Sequence, residues 1–434
     1  MRALEVIHGY PPRYEAGSEI YTQMVSCELS RQGHKVTVFS RIEDPYLKDF
    51  ELVSEKDNID SSIEVYLANH ARGRDRYKNE GMDKAFKRVL DMANPDIIHV
   101  NHLNHLSTGI IDVASSEKIP VVFTLHDFWL ACPRGQFLRM ALGEAEIYPE
   151  CGKQENKQCA IHCMSRMWGG VNTAEDLAYW TRWVQLRMRE ISCLAKKVSV
   201  FISPSQHLKN RSTQELEIPS KKIICEPYGF DLKRLSGRKR ERGEEFVFGY
   251  IGRIDFSKGI DLLIKAFGMM SGKAKLRIWG RPSVQETSSL TRLSASLPPN
   301  RRTRIEWLPE YENVHIVERV FNRVDAIVVP SIWDENSPLT IQEALQAKIP
   351  VITSEKGGMG ELVHDGVNGF TFKHRSVEDL AEKLQFVLDN PENASRIAQR
   401  GSLGTSDGSI HSIEDHVSTL LQIFHSVKEG ISYG

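Results

Sequence analysis

Cysteine is scarce in this 434-residue chain, with seven in all, and so low and odd a count argues against the disulfide framework of a secreted protein. Neither sign of charge is in excess: 56 Lys and Arg stand against 57 Asp and Glu. Without a global positive field, no nucleic-acid partner is expected and nothing in the charge balance favours a membrane surface. No stretch approaches 18 uninterrupted apolar residues. The opening residues MRALEVIHGYPPRYEAG contain neither a long apolar run nor a small-residue cleavage site, so the expected address is cytoplasmic. A strand-linked G-x-G-x-x-G and a Walker motif are also missing, which removes the signatures of dinucleotide oxidoreductases and P-loop ATPases.

The remaining composition is that of a folded globular protein, 41% hydrophobic and 26% charged with 30 Gly and 18 Pro. The length predicts two to four domains. Short apolar runs at 3–9, 35–40, 63–68, 96–100, 121–126 and 199–204 alternate with helical spacing, as at Ile20, Met24, Cys27 and Leu29. That alternation is the pattern of a parallel sheet covered by helices on both faces. The charge run 238–245 reads as a solvated linker. Beyond it a second series begins, with runs at 246–251, 276–280, 304–308, 325–331, 350–354 and 369–372 and helical spacing at 260–270 and 377–388.

The predicted fold class is therefore α/β, with two doubly wound, Rossmann-like domains at 1–236 and 244–405. Ligands of such sheets lie outside the carboxyl ends of the strands, which points to a cleft between the domains. The last segment, 409–434, carries Ile413, Val417, Leu420, Leu421 and Phe424 on one helical face and is expected to cross back to the first domain.

The candidate site residues follow from strand ends. After the run 246–251 come Gly252-Arg253, and Lys258-Gly259 precede the helix that starts near Ile260. Two cations at a positive helix end call for an anion, and a pair of phosphates suits them. After the run 325–331, Ser337 is placed as an N-cap and Pro338 as the first helical residue, which leaves the amides of Leu339 and Thr340 for a pyrophosphate. Glu335 and Glu343 are carboxylates suited to accept hydrogen bonds from the hydroxyls of a sugar or a ribose. Glu335 also fits an ordinary surface acid. Gly357-Gly358-Met359-Gly360-Glu361 is predicted as a loop that lets backbone approach a ligand.

These motifs, in order, resemble the donor domain of retaining GT-B glycosyltransferases of family 4. The resemblance is carried by Gly252-Arg253, Lys258-Gly259, Pro330-Ser331, the Glu335/Glu343 pair, Pro350-Val351-Ile352, Gly357-Gly358, Glu361 and Asp365-Gly366 through Asn368-Gly369. It implies that Arg253 and Lys258 grip the donor diphosphate, Glu335 touches the donor sugar and Glu343 binds the ribose. In the first half, Ala16-Gly17 stands where the family has a Gly-Gly turn near the phosphates, with Ala16 a departure. His126-Asp127 resembles the family's cleft histidine, which contacts the donor sugar or the transferring centre. The implied reaction moves a hexose, with retention, from a nucleotide diphosphate sugar to a hydroxyl of a small-molecule or glycan acceptor. A UDP-sugar is favoured and a GDP-sugar admitted, and no catalytic metal is expected. The competing readings are a nucleotide-sugar-binding protein without turnover and a nucleotide-sugar epimerase on the same fold.

One segment has no place in that pattern. Cys132, Cys151, Cys159 and Cys163 cluster in an insertion at about 131–170. Four thiols in so short a stretch fit a structural zinc site, with His162 as a substitute ligand, against the alternative of free or paired cysteines. The helix that follows carries Leu177, Trp180, Val184, Met188, Ile191 and Leu194 on one stripe, with Arg182, Arg187 and Arg189 placed elsewhere. The stripe is read as core packing rather than as a membrane-docking face.

Overall fold

The computed structural model describes residues 1–71, 77–140, 148–164, 171, 173–240, 243–281 and 284–431, with backbone only at 284–287. Two compact units divide the chain: Met1–Glu144, Pro149–Gly229 and Ile413–Gly434 form unit 1, and Ala145–Tyr148 with Phe230–Ser412 form unit 2.

Unit 1 is built on eight strands: β1 (Arg2–Val6), β2 (Lys35–Ile42), β3 (Leu52–Lys56), β4 (Glu64–Asn69), β5 (Ile97–Val100), β6 (Val121–Thr124), β7 (Val200–Ser203) and β8 (Ile223–Cys225). Their spatial order is β3-β4-β2-β1-β5-β6-β7-β8, all parallel apart from the β3–β4 pair. The central strands are buried end to end, as expected of strands covered on both faces. Two strands were not predicted. β3 reads LVSEK and pairs antiparallel at the sheet edge, half exposed, so it lacks the apolar run that marks a buried strand. β8 is only three residues long.

Unit 2 carries β9 (Phe246–Ile251), β10 (Ala274–Trp279), β11 (Ile305–Leu308), β12 (Ala326–Val329), β13 (Val351–Ser354) and β14 (Phe370–Phe372). They form one parallel sheet in the order β11-β10-β9-β12-β13-β14. In both sheets the chain winds outward from one central strand and then restarts on its other side, at β1/β5 and at β9/β12. Those reversals are the places where a doubly wound sheet opens a crevice at its carboxyl edge.

Three sequence readings change. The run 238–245 is no solvated linker at its start: Arg238 donates to the carbonyls of Phe321 and Val324 (3.0 and 2.8 Å), and Arg240 grips Asp325 with two bonds (3.0 and 2.8 Å). Both arginines therefore belong to unit 2; residues 241–242 lie outside the described ones. Residues 357–361 are not a loop but the start of a short helix, Gly357–Leu362. Arg187, placed off the apolar stripe of helix Ala174–Lys197, is only 1% exposed.

The terminal helix Ile413–Lys428 packs within unit 1 and buries Val417, Leu420 and Phe424 completely. It lies against helix Gly17–Arg31, where the Tyr21 hydroxyl meets His416 Nε2 at 2.8 Å. Among the described residues no helix is long and apolar enough to cross a membrane.

Candidate active site

In unit 2 the site forms at the carboxyl ends of β9 and β12. Gly259 turns the chain into helix Ile260–Met269 with φ at +68°. A Cβ there would fall 1.9 Å from the Pro330 carbonyl oxygen, so only glycine lets the helix start sit flush against the end of β12. This seating brings Lys258 to the loop that follows β12. Its ammonium donates to Glu335 Oε1 at 2.6 Å and lies 5.0 Å from the Trp333 ring centre. The same Oε1 accepts from the Ser331 hydroxyl (2.7 Å) and the Trp333 indole N–H (2.8 Å). Glu335 is 7% exposed, which corrects its reading as a surface acid: three donors converge on one oxygen, and among the described residues Oε2 has no partner.

The loop that carries Glu335 is clamped from behind. The Gly358 amide donates to the Glu335 carbonyl at 2.7 Å, and a Cβ on Gly358 would lie 1.5 Å from the Asn336 oxygen. Glycine at 358 is therefore a packing requirement of the loop.

Arg253 is placed differently from Lys258. It is two-thirds exposed, and its one ion pair among the described residues, to Asp255, is long at 3.5 Å. The predicted capping by Ser337 does not occur. Helix Leu339–Gln346 begins one residue later than expected, with Pro338 at the N-cap, and Ser337 instead accepts from the Gln342 side chain at 2.9 Å. The amides of Leu339 and Thr340 are left without an acceptor among the described residues, as open helix termini leave them. Glu343, on that helix, is buried and ties its Oε1 to Arg234 (3.0 Å) and Asn313 (3.3 Å). Burial, with the Glu343 charge second, raises the Tyr311 phenol and keeps it protonated.

In unit 1 the corresponding edge gathers His8, Asn101, His102, His126 and Asp127 from the ends of β1, β5 and β6. His126 Nδ1 meets the Tyr228 hydroxyl at 2.7 Å and Nε2 meets Asn101 Oδ1 at 3.3 Å. The Asn101 amide nitrogen donates to Glu5 Oε2 at 2.8 Å, which fixes which way Asn101 points. Its oxygen then faces His126, so the imidazole proton belongs on Nε2 and Tyr228 donates to Nδ1. Burial, followed by the neighbouring histidines His102, His99 and His416, drives His126 well below its ordinary pKa, and the ring is neutral at pH 7. Burial likewise raises Tyr228 and keeps its proton in place. Glu5 itself is fully buried and held by His99 at 2.9 Å. Beside this group, His8 Nε2 approaches Glu19 at 3.4 Å, and His102 approaches Asp127 at 3.3 Å. Gly17 opens the helix that carries Glu19, with Ala16 extended at its N-cap.

Sequence reasoning singled out His126 but missed Asn101, Tyr228, Glu5 and His8. The signal for His8 and Asn101 was their place just past β1 and β5; Tyr228 follows no strand pattern. In unit 2 it missed Trp333 and Arg234.

The four cysteines are all described and none is in a disulfide. Burial pushes Cys159 up to about 12 and Cys163 up to about 11. Of the insertion, residues 141–147 and 165–170 lie outside the described ones.

Comparison with known proteins sets this geometry among relatives. The profile described as "Glycosyltransferase Family 4" matches residues 16–234, and "Glycosyl transferases group 1" matches residues 233–403. The chain is 24% identical over 438 aligned residues to a glycogen synthase of Mycobacterium tuberculosis, covering 92% of this chain and 89% of the relative. A D-inositol 3-phosphate glycosyltransferase of Mycolicibacterium smegmatis is 29% identical over 149 residues, 34% of this chain and 33% of that one. Among solved structures, Anabaena HepE with UDP and glucose superposes with a TM-score of 0.69 at 16% identity, over 98% of this chain and all of that one. A sucrose-phosphate synthase from Thermosynechococcus elongatus gives 0.69 at 15%, over 99% and 100%. With profiles that meet end to end along two doubly wound sheets, the chain belongs to glycosyltransferase family 4 and has the GT-B fold.

Proposed function

We propose that this transferase moves a hexose, with retention, from a nucleotide diphosphate sugar to a hydroxyl of a small-molecule or glycan acceptor, and that the donor is a UDP-sugar. The observation that carries the reading is the set of anion-binding groups at the β9/β12 reversal. An exposed Arg253 with one long ion pair, the Lys258 ammonium and the two unsatisfied amides of Leu339 and Thr340 stand on elements that converge there. The HepE structure that holds UDP and glucose supports the choice of base.

Breaking a glycosyl–phosphate bond leaves extra negative charge on the departing diphosphate. Fixed donors aimed at that group stabilise the transition state more than the ground state. Lys258 has three N–H donors and spends one on Glu335, so the others remain for phosphate oxygens. Glu335 keeps Oε2 for a sugar hydroxyl, and Glu343 is assigned the ribose. For His126 we propose the sugar contact that the family resemblance implies; its neutral ring suits a hydroxyl or a carbonyl rather than a phosphate.

The test is incubation with UDP-, GDP-, ADP- and dTDP-sugars, read by slow donor hydrolysis and by thermal stabilisation. UDP-sugars are expected to give both, and silence across the panel overturns the proposal. Once an acceptor is found, the anomeric proton coupling of the product decides retention against inversion.

A further inference from the structure

Cys132, Cys151 and the pair Cys159 and Cys163 come from three stretches of unit 1, which backbone contacts tie together. The Phe128 carbonyl accepts from the Cys132 amide, and the Phe137 carbonyl accepts from the Cys151 amide, both at 2.7 Å. An isolated antiparallel bridge joins Leu138 to Glu150 just before Cys151. Cys163 Sγ lies 3.9 Å from the Leu138 carbonyl. Cys159 and Cys163 sit one helical turn apart and pack together with Met164 and Val184. The Phe128 and Phe137 rings, on the residues whose carbonyls hold the Cys132 and Cys151 amides, meet at 5.1 Å.

Arg187 stands beside this group. It is 1% exposed, donates to the carbonyls of Trp129 and Leu130, and stacks over the Trp129 ring at 4.7 Å. Burial draws it down to about 10, so it stays charged at neutral pH. Among the described residues no carboxylate lies within ion-pairing distance of it. The carbonyls it grips stand two and three residues before Cys132, and the Asp127 carboxylate attracts it only from beyond ion-pairing distance. A buried charge without a counter-ion is costly, and neither thiols nor disulfides carry the charge to answer it. Four thiolates on a divalent cation do, because the assembled centre keeps two net negative charges.

We propose that Cys132, Cys151, Cys159 and Cys163 form a four-thiolate structural site for a single zinc-type divalent ion, with Arg187 as its buried counter-charge. As each sulfur–metal bond forms, the thiol proton leaves to solvent, and no electron changes hands. No three of these sulfurs lie mutually within 4.8 Å, whereas ligands in a tetrahedral site with 2.3 Å bonds stand about 3.8 Å apart. Ion binding therefore has to bring the sulfurs closer together than they stand here. His162 is not needed, since its Nε2 meets Gln158 at 3.0 Å. The site is independent of the glycosyl-transfer reading.

The experiment uses the full chain purified without chelator. Elemental analysis is expected to find about one zinc and no iron per chain. Cobalt titrated into the metal-free protein is expected to give thiolate-to-metal charge transfer together with the intense visible bands of tetrahedral coordination. Cys151→Ser, at the least buried ligand, should weaken zinc retention against a chelator, while Cys193→Ser and Cys225→Ser, at exposed positions, should leave it unchanged. Arg187→Met should loosen zinc roughly 10- to 100-fold, the range for groups that support metal ligands, and Arg187→Lys should restore part of it. The wild-type titration keeps the test decisive where a variant fails to fold. The proposal is overturned by a folded wild-type chain that takes up neither zinc nor cobalt, by visible absorption of an iron–sulfur cluster, by disulfides among the four cysteines, or by zinc that survives Cys151→Ser unchanged.

Discussion

Arg253 and Lys258 lie on one stretch of chain between β9 and the helix that follows it, yet they meet different surroundings. Lys258 is folded into the Glu335 cluster, whereas Arg253 reaches outward. Removing Arg253 should therefore cost little stability and much affinity. Arg253→Ala is expected to weaken UDP binding roughly tenfold or more, because a charge-assisted hydrogen bond contributes ~1.5–3 kcal/mol, with the melting temperature unchanged. Titration calorimetry beside a thermal melt reads both. Lys258→Ala should lower both quantities, since Glu335 would be left buried without its cation.

His126 yields a second residue-scale expectation. Its folded pKa is depressed by burial, so the unfolded chain, with an ordinary value of about 6.5, takes up the proton first as the pH falls. The stability this neutral ring provides is whole above that value and is lost progressively below it. His126→Gln should flatten the fall in melting temperature between pH 7 and pH 5 relative to wild type. Parallel slopes for the two proteins would count against the assignment. Local pattern reached residues such as His126 and Lys258 because they stand next to strand ends and helix starts. It could not reach Tyr228 or Arg234, whose meaning depends on partners about a hundred positions away.

At the scale of elements, all six runs of unit 2 were legible from apolar spacing, and their C-terminal boundaries shifted by no more than two residues. In β12 and β13 the reason is burial from end to end, which leaves no polar alternation to confuse the pattern, whereas β10 and β11, toward the sheet edge, keep charged residues between their apolar ones. The failures have physical causes too. β3 is an edge strand with mixed polarity. The capping prediction failed because Pro338 itself takes the boundary position. The run 357–361 was read as a loop from its glycines, yet those glycines serve close backbone approach within the helix Gly357–Leu362. Gly358→Ala tests this: the added methyl meets a fixed carbonyl rather than a flexible side chain. We expect ~1–3 kcal/mol of destabilisation from overpacking and, because the Glu335 loop must shift, a loss of donor affinity out of proportion to it. Chemical denaturation and UDP titration measure the two effects.

For the whole molecule, the helix Ile413–Lys428 matters most. Its apolar face was legible, but the buried His416 on that face was not, since a histidine enters a core only with a partner such as Tyr21. Phe424→Ala should destabilise unit 1 by ~3–5 kcal/mol through the cavity it leaves. Calorimetry should show the loss in whichever transition also responds to Val417→Ala, while a unit 2 core variant such as Phe267→Ala shifts the other; one common shift for all three variants would contradict the division.

That helix also sets a schedule for biogenesis. Synthesis delivers the eight-stranded sheet early, but the segment that finishes covering it is encoded after the entire second unit. At ~5–20 residues per second, the ribosome leaves the surface around Tyr21 uncovered for roughly ten seconds or more. A nascent chain halted anywhere before Ile413 must hold an apolar scar in the cell, so early termination codons should yield chaperone-bound or degraded products rather than a free-standing first half.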